Sequence, residues 1–525
     1  MSEDISTGRN VPIADRDWES AGVLAQDQRV DTQRVLPSRS DEIVAAASSV
    51  VGGPVGRHAA IGRSRAWTPI RVLFLLALCA LAMGWFGKSG CLQQAESGSG
   101  ASSTLRLNWD NQRQYTNLCY SDVIGLYSAE KLDEGAFPYR TYWYEKGPDG
   151  QQVKRYMEYP VITGLYMYGV AWLAQQWDSA HEKWGVPAAL DVVLFFNLVA
   201  LGLALFWLVT IWATALTART RVWAAWMAAL SPLVVVHIFT NFDAIAMAMV
   251  ALAILCWARR NPWLAGVFIG LGTAAKLYPA LLLVVLLVLC LRAGKVREFV
   301  EAAVSALVVW LLVNLPIFLL YRNGWWEFFR YNNDRPAERD TLYRVISDAA
   351  GFTWHTDLLN ALSLGLLILV VIGVAAVALI APQRPRLAQL AFLMVAGFLM
   401  VNKVWSPQYS LWLVPLAVLA IPHTRLLFAW MVVDALVWIP RMGLYLDADR
   451  RWLPEQWFTA AIVLRLVMVL ALCAVVLWEI WHPEDDPIRR APGSPPDELL
   501  DDPAGGVLDG APDRLALRRS ALTAG

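Results

Sequence analysis

Residues 237–297 read HIFTNFDAIAMAMVALAILCWARRNPWLAGVFIGLGTAAKLYPALLLVVLLVLCLRAGKVR. Three apolar runs, 242–258, 262–276 and 278–293, follow one another with only short breaks. The breaks are of two kinds. One kind is basic, Arg259/Arg260 and then Arg292/Lys295/Arg297. The other carries isolated polar residues, Asn241 and Asp243 before the first run and Lys276 before Pro279. Loops on the cytoplasmic side of a membrane collect Lys and Arg. The alternation therefore reads as consecutive spans that change direction, with basic turns on one side and a sparse polar set on the other.

The same pattern extends along the chain. A span needs about 20 mainly apolar residues. The candidates are 69–88, 187–216, 221–239, 242–258, 262–276, 278–293, 298–320, 358–381, 386–402, 407–422, 425–441 and 456–481. Arg63/Arg65, Arg219/Arg221, Arg384/Arg386, Arg425 and Arg489/Arg490 all fall on the cytoplasmic side if each run crosses. That gives about twelve transmembrane helices with both termini inside. The run 160–177 breaks this count if it crosses, so it is expected to be an interfacial or re-entrant helix on the outer face. The fold class is thus an all-α polytopic membrane protein with a long first outer loop, 89–186, carrying short interfacial helices.

Composition agrees. Of 525 residues, 57% are hydrophobic and 17% charged, with 26 Trp; the mean hydropathy is +0.43. These values exclude a cytosolic enzyme or a disordered scaffold. Residues 1–68 and 482–525 lack apolar periodicity and are expected to be disordered cytoplasmic tails flanking a 69–481 membrane domain. No apolar segment near Met1 resembles a cleavable signal. The tails carry net charges of −1 and −4 and the middle +5, which sum to the net zero of the chain. So small an excess, with no solvated Lys/Arg face, gives no reason to expect nucleic acid as a partner.

The topology gathers the unusual polar residues on the outer side, where charge near a span is costly and functional by default. In CYSDVIGLYSAEKLDEGAFPY, Asp122 starts a stretch of helical spacing; it serves either as a helix cap or as a general base for a sugar hydroxyl. Asp110 is a weaker candidate for that role, and Glu158 could line the same cleft. Asn241 and Asp243 could hold sugar hydroxyls, or Asp243 could only cap its helix. Lys276, beside Tyr278, could snorkel to the interface or hold a lipid-linked phosphate as a point charge. No acidic residue is near it in sequence, which favours the phosphate. In MVNKVWSPQYSLWLVP, Asn402, Lys403, Ser406, Gln408 and Tyr409 crowd into eight positions. Lys403 offers a second phosphate contact, and Gln408 and Tyr409 offer hydrogen bonds.

Other features carry less. Arg322, Arg330, Arg335, Arg339 and Arg344 are offset by acids and read as solvated surface, and His355 as a structural residue. Asp447–Ala448–Asp449 spells DxD, without a further ligand cluster to support a metal. Cys91 and Cys119 share the first outer loop, so a bridge is possible in an oxidising compartment; two free thiols fit equally well. Cys79, Cys256, Cys290 and Cys473 read as small core hydrophobes.

In order, SDVIGLYSAEKLDEGAFPY, EYPVITGLY, NFDAIAMAMVALAI, LAGVFIGLGTAAKLYPALLL and NKVWSPQYSLWLVP resemble glycosyltransferase family 87. This family comprises bacterial membrane enzymes of the GT-C fold, including polyprenol-phosphate-mannose-dependent mannosyltransferases. The resemblance covers roughly 70–480. It implies an inverting transferase in the bacterial plasma membrane, acting at the outer face with a polyprenyl-phosphate-linked sugar as donor. A lipid or glycan would be the acceptor, and membrane lipids the surroundings. Asp122 matches the position of the family's catalytic base; Lys276 and Lys403 would stabilise the departing phosphate. Neither metal nor cofactor is implied. The sequence departs from typical members in its long N-terminal segment and in the insertion EKGPDGQQVKRYME. Mannose is the first expectation and arabinofuranose the second. A lipid or solute transporter is the alternative from another class, since broken spans near Lys276 and Asn402 would suit one.

Overall fold

A computed structural model describes residues 67–97, 104–147, 150–187, 189–490 and 499–516. The expected N-terminal tail, with Arg63 and Arg65, lies outside the described residues, as do 491–498 and 517–525. The rest is a helical bundle with two small antiparallel hairpins, Gln94–Ser97 with Thr104–Leu107 and Trp143–Lys146 with Gln152–Arg155.

Among the described residues, six helical segments are long and apolar enough to cross a membrane: Pro69–Leu92, Asp191–Ala229, Val296–Leu320, Thr356–Ile380, Thr424–Leu444 and Glu455–Trp481. Five more are apolar but shorter, at 10–17 residues: Asp243–Ala258, Pro262–Ala275, Tyr278–Ala293, Leu387–Val401 and Pro407–Ala420. The two sets differ in surroundings. Thr356–Ile380 shows most of its apolar surface outward, with 11% of its apolar stretch buried against the rest of the protein. Asp243–Ala258 is apolar all round and buried almost throughout, the pattern of a helix enclosed by other helices. Pro262–Ala275 meets Val296–Leu320 closely, because Gly266 faces the Ala302 carbonyl where a Cβ would collide. Small residues at that contact let the two backbones approach, as in other membrane bundles.

The run 221–239, expected as one span, is broken. It consists of a 3-10 stretch to Ala225, a short helix Trp226–Ala229, and a second helix Pro232–His237. Pro232 cannot donate a hydrogen bond to the preceding turn, and Ser231 ahead of it is extended.

The segment 160–177 forms the helix Val161–Trp184. Thr163 near its start donates to the Ala275 carbonyl at 2.8 Å, and Gln175 further along donates to the Leu132 carbonyl at 2.9 Å. Ala275 ends the helix before Lys276, and Leu132 lies in the first loop. Tyr166 in its second turn donates to the Val199 carbonyl at 3.1 Å and packs edge-on against Phe206, so the start of this helix also runs beside the long helix Asp191–Ala218.

The end of the bundle at the first loop holds the Cys91–Cys119 disulfide, which resolves the two readings of this pair. The opposite end holds the basic turns and, unexpectedly, the C-terminal segment. A disordered tail was expected from residue 482. Instead, residues 482–490 and 499–516 fold against the helix ends. Arg384 donates to Asp501 and Asp513, and to the carbonyls of Leu508 and Ala511. The Leu387 amide donates to Asp502 at 2.8 Å, and Leu508 is buried in the core.

Candidate active site

Ser121, not Asp122, occupies the cap position of the helix Asp122–Ala129. Asp122 is its first residue, favourably placed at the helix N-terminus, and its amide donates to the Thr240 carbonyl at 2.9 Å. Ser121 reinforces this splice by donating to the Phe239 carbonyl at 2.7 Å. The loop before Asp243 is therefore fixed to the helix that bears Asp122.

The Asp122 carboxylate gathers distant partners. Asn241 Nδ2 donates to Oδ2 at 2.8 Å, and Gln408 Nε2 approaches the same oxygen at 3.4 Å. Tyr120 donates its hydroxyl to the same side chain, and the nearby Asp122 charge, with burial, holds the Tyr120 phenol well above its usual range. Asn241 also donates to the Tyr159 hydroxyl at 3.0 Å while its own oxygen accepts from the Phe242 amide at 2.7 Å. Asn241 is thus saturated by protein groups and orients Asp122 instead of reaching outward.

Beside this lies a second cluster. Lys276 Nζ pairs with Asp243 Oδ1 at 2.6 Å, and Trp412 Nε1 donates to that oxygen at 2.7 Å. The acidic partner that Lys276 lacks in the local sequence arrives from 33 residues away. Asp243 is 1% exposed, so it faces Lys276 and not an open cleft. The Lys276 ammonium lies 4.5 Å from the Tyr409 ring centroid. Tyr278 and Tyr409 stack against Trp412 at 4.2 and 4.3 Å. Glu158 is hydrogen-bonded by the Tyr331 hydroxyl; burial pushes its carboxyl up, against the opposing pull of Arg335. Asp122 adds to that upward push on Glu158, which brings the two acids into electrostatic contact.

The expected residues therefore divide. Asp122, Glu158, Asn241, Asp243, Lys276, Gln408 and Tyr409 converge, with Tyr278 behind them. Asn402 only ends the helix Leu387–Val401, its amide donating to Phe398. Ser406 is buried, and its carbonyl accepts from Tyr409. Lys403 departs from its expected role: its ammonium donates to the carbonyls of Asn333 and Arg335 and to Asn360 Oδ1 at 2.5–3.0 Å. An ammonium has three N–H groups, so none remains for a phosphate. Asp110 is paired with Arg106 at the surface, His355 is exposed, and Asp447 and Asp449 are exposed away from this cluster.

Two residues were missed. Lys88, 2% exposed, donates to the Tyr120 carbonyl at 2.8 Å and lies 4.7 Å from the Trp438 ring centroid. Its signal was a lone Lys at the end of an otherwise apolar run. Arg335, read as one of five solvated arginines, instead acts electrostatically on Glu158 and Tyr409.

Chemically, the arrangement offers an oriented, half-buried carboxylate with cations close by. Residues 156–402 match the model of glycosyltransferase family 87. The chain is also similar to the catalytic subunit of GPI alpha-1,4-mannosyltransferase I from Danio rerio, 26% identical over 264 residues. That match covers 47% of this chain and 66% of the relative, so the chain spans just under two thirds of the relative's length. Asn241, Asp243, Lys276 and Glu158 thus lie within the stretch that matches the glycosyltransferase family 87 model, and Asp122 lies before it.

Proposed function

We propose that the protein transfers a sugar, mannose in the first instance, from a polyprenyl-phosphate donor to a lipid or glycan acceptor, with inversion. The observation that carries this reading is the Asp122 carboxylate, held by Asn241, Gln408 and Tyr120 near the Lys276 cation. Asp122 takes the proton of an acceptor hydroxyl as the oxygen attacks the anomeric carbon. The bond from that carbon to the phosphate oxygen breaks, and polyprenyl phosphate leaves as an anion. Lys276 retains N–H groups beyond its bond to Asp243 and stabilises that charge as it develops. Glu158 and Tyr409 shape the site around the sugar, Asp243 holds Lys276 in place, and Tyr278 and the 402–406 loop back them.

An aromatic recess supports a lipid-linked donor. Tyr139, Tyr159, Leu277, Trp310, Trp325 and Phe329 line it. Leu277 adjoins Lys276, so an acyl or prenyl chain in the recess would bring its phosphate to the ammonium. The disulfide in the first loop supports an outer, oxidising location for this end. Basic turns and the C-terminal segment at the other end support a cytoplasmic location there. With the twelve-run reading, this is a multi-pass bacterial plasma-membrane enzyme whose site faces outward, both termini inside.

Purified protein given polyprenyl-phosphate mannose and a membrane lipid extract is expected to form a mannosylated lipid. Asp122→Asn should lose that product while keeping its unfolding temperature. Equal turnover in the variant would remove Asp122 as base. Failure with polyprenyl-linked mannose and success with polyprenyl-linked arabinofuranose would change the sugar and leave the mechanism intact.

A further inference from the structure

Lys403 is saturated, yet what it holds is informative. Two of its three acceptors are main-chain carbonyls, Asn333 in the last turn of the helix Arg322–Asp334 and Arg335 just after it. The third, Asn360 Oδ1, belongs to the start of Thr356–Ile380. Asn360 itself donates to the Asn333 carbonyl at 3.0 Å, and the Lys403 carbonyl accepts from the Glu338 amide at 2.9 Å. Residues 333–338 are thus bound on both sides to the break after Val401. From Arg335 to Glu338 the backbone has no regular structure of its own to hold it there.

The side chain so placed is Arg335. It pairs with Glu338 through Nη2 at 2.6 Å and lies 5.8 Å from the Tyr331 ring centroid. Glu338 is shared with Arg441 at 3.4 Å, so it does not neutralise Arg335 alone. The Arg335 side chain is 30% exposed, whereas that of Lys276 is 18% exposed. Among the described residues, the Glu338 bond engages one N–H of a five-donor fork. Tyr409 feels both cations, Lys276 and Arg335. A guanidinium fits phosphate by paired hydrogen bonds, which an ammonium does not.

We propose that Arg335 binds the phosphate of the lipid-linked donor opposite Lys276, and that Lys403 is a positioning residue that acts only by holding the Arg335 segment. This rests on the donor class proposed above. Arg335 transfers no proton; it meets the negative charge that the departing phosphate oxygen gains as it takes the electron pair of the broken bond.

The test uses the full-length protein in detergent, with a short-chain polyprenyl phosphate as binding probe and polyprenyl-phosphate mannose as substrate. Arg335→Gln is expected to weaken probe binding at least tenfold and to lower kcat at least a hundredfold, with the KM for acceptor unchanged. Arg335→Lys should recover part of the binding. Lys403→Met should weaken binding in the same direction, and Asn360→Ala, a milder loosening of the same segment, should do so to a smaller degree. The double variant Arg335→Gln/Lys403→Met should stay within about threefold of Arg335→Gln, because coupled residues are not additive. Wild-type binding by Arg335→Gln would overturn the assignment. Losses that multiply in the double variant would overturn the positioning role of Lys403. Probe binding that depends on Arg335 in a wild-type protein that transfers no sugar would refute the transferase reading and leave the phosphate site standing.

Discussion

The two ends of the bundle hold charge in opposite ways. At the tail end, Arg384 and Arg386 are 3% and 2% exposed and are surrounded by carboxylates and carbonyls. Arg386 binds Asp486 and the carbonyls of Leu419 and Ala420 at 2.7–3.0 Å. Arg292 binds Asp513 and the Ala378 carbonyl. At the site end, Asp122, Lys276 and Arg335 each have partners and remain partly open. A buried ion in a membrane protein must be matched group for group; a catalytic one needs capacity left for substrate. The tail end shows charge used to hold helices together; the other end has such charges too, Arg441 with Asp340 among them, but beside them the proposed site leaves Asp122, Lys276 and Arg335 partly open.

That contrast is tested most strongly at Asp122. Asp122→Asn should lower turnover by about 10²–10⁴-fold, the range for a lost general base, with little change in thermal unfolding. A variant that unfolds instead would place Asp122 with the tail-end charges. Arg384→Ala should do the reverse, destabilising by about 3–5 kcal/mol, because it leaves carboxylates without their buried partner. Thermal unfolding in detergent measures this, and limited proteolysis should release the segment after 482. An unaltered unfolding temperature would show that the segment is not bound in this way.

The disulfide offers an intermediate case. Cys91→Ala with Cys119→Ala should cost about 2–4 kcal/mol, read by thermal unfolding. The loss should fall on the site end, leaving proteolysis at the tail end unchanged.

The smallest effect concerns pH. Burial and the neighbouring Glu158 push the Glu130 carboxyl well above its usual range. A carboxyl raised in the folded state binds its proton more tightly there than in the unfolded chain. Its contribution is therefore intact at low pH and is lost as pH rises from the unfolded value, about 4.3, through the folded one. Glu130→Gln should flatten the decline of unfolding temperature over that interval. An unchanged slope would show that Glu130 does not titrate in this way.

Much of this was legible in local sequence. The apolar runs, the side of the basic turns and the convergence of the 122, 241, 276 and 408 motifs follow from period and order. The exceptions share one cause: they depend on partners far away in the chain. Lys276 read as unpaired because Asp243 is remote from it. Lys403 read as a phosphate ligand because nothing nearby announced the carbonyls of Asn333 and Arg335. The C-terminal segment read as disorder from its Pro, Gly and Asp content, yet those aspartates are the counter-ions of arginines a hundred or more residues earlier. The break at Ser231–Pro232 has a local signal, a proline inside an otherwise apolar run, which hydropathy alone does not register.

The inner helices carry a last consequence. Asp243–Ala258 has 16 residues and Pro262–Ala275 has 14, against 28 in Asp191–Ala218. At about 1.5 Å per residue, the enclosed helices are roughly half as tall as the longest helix beside them. Phe195, in the second turn of Asp191–Ala218, packs against Tyr127 of the Asp122 helix, so the tall helix rises beside the carboxylate. The enclosed helices, anchored at the basic turns, therefore end below the tip of their tall neighbour, and Asp243 and Lys276 stand recessed at those ends. For the transfer reaction proposed above, a donor already dissolved in the lipid would approach such a recess sideways, through the aromatic side chains. Bilayer thickness would then bear on activity, because a thicker leaflet shifts headgroups away from the depth of the cluster.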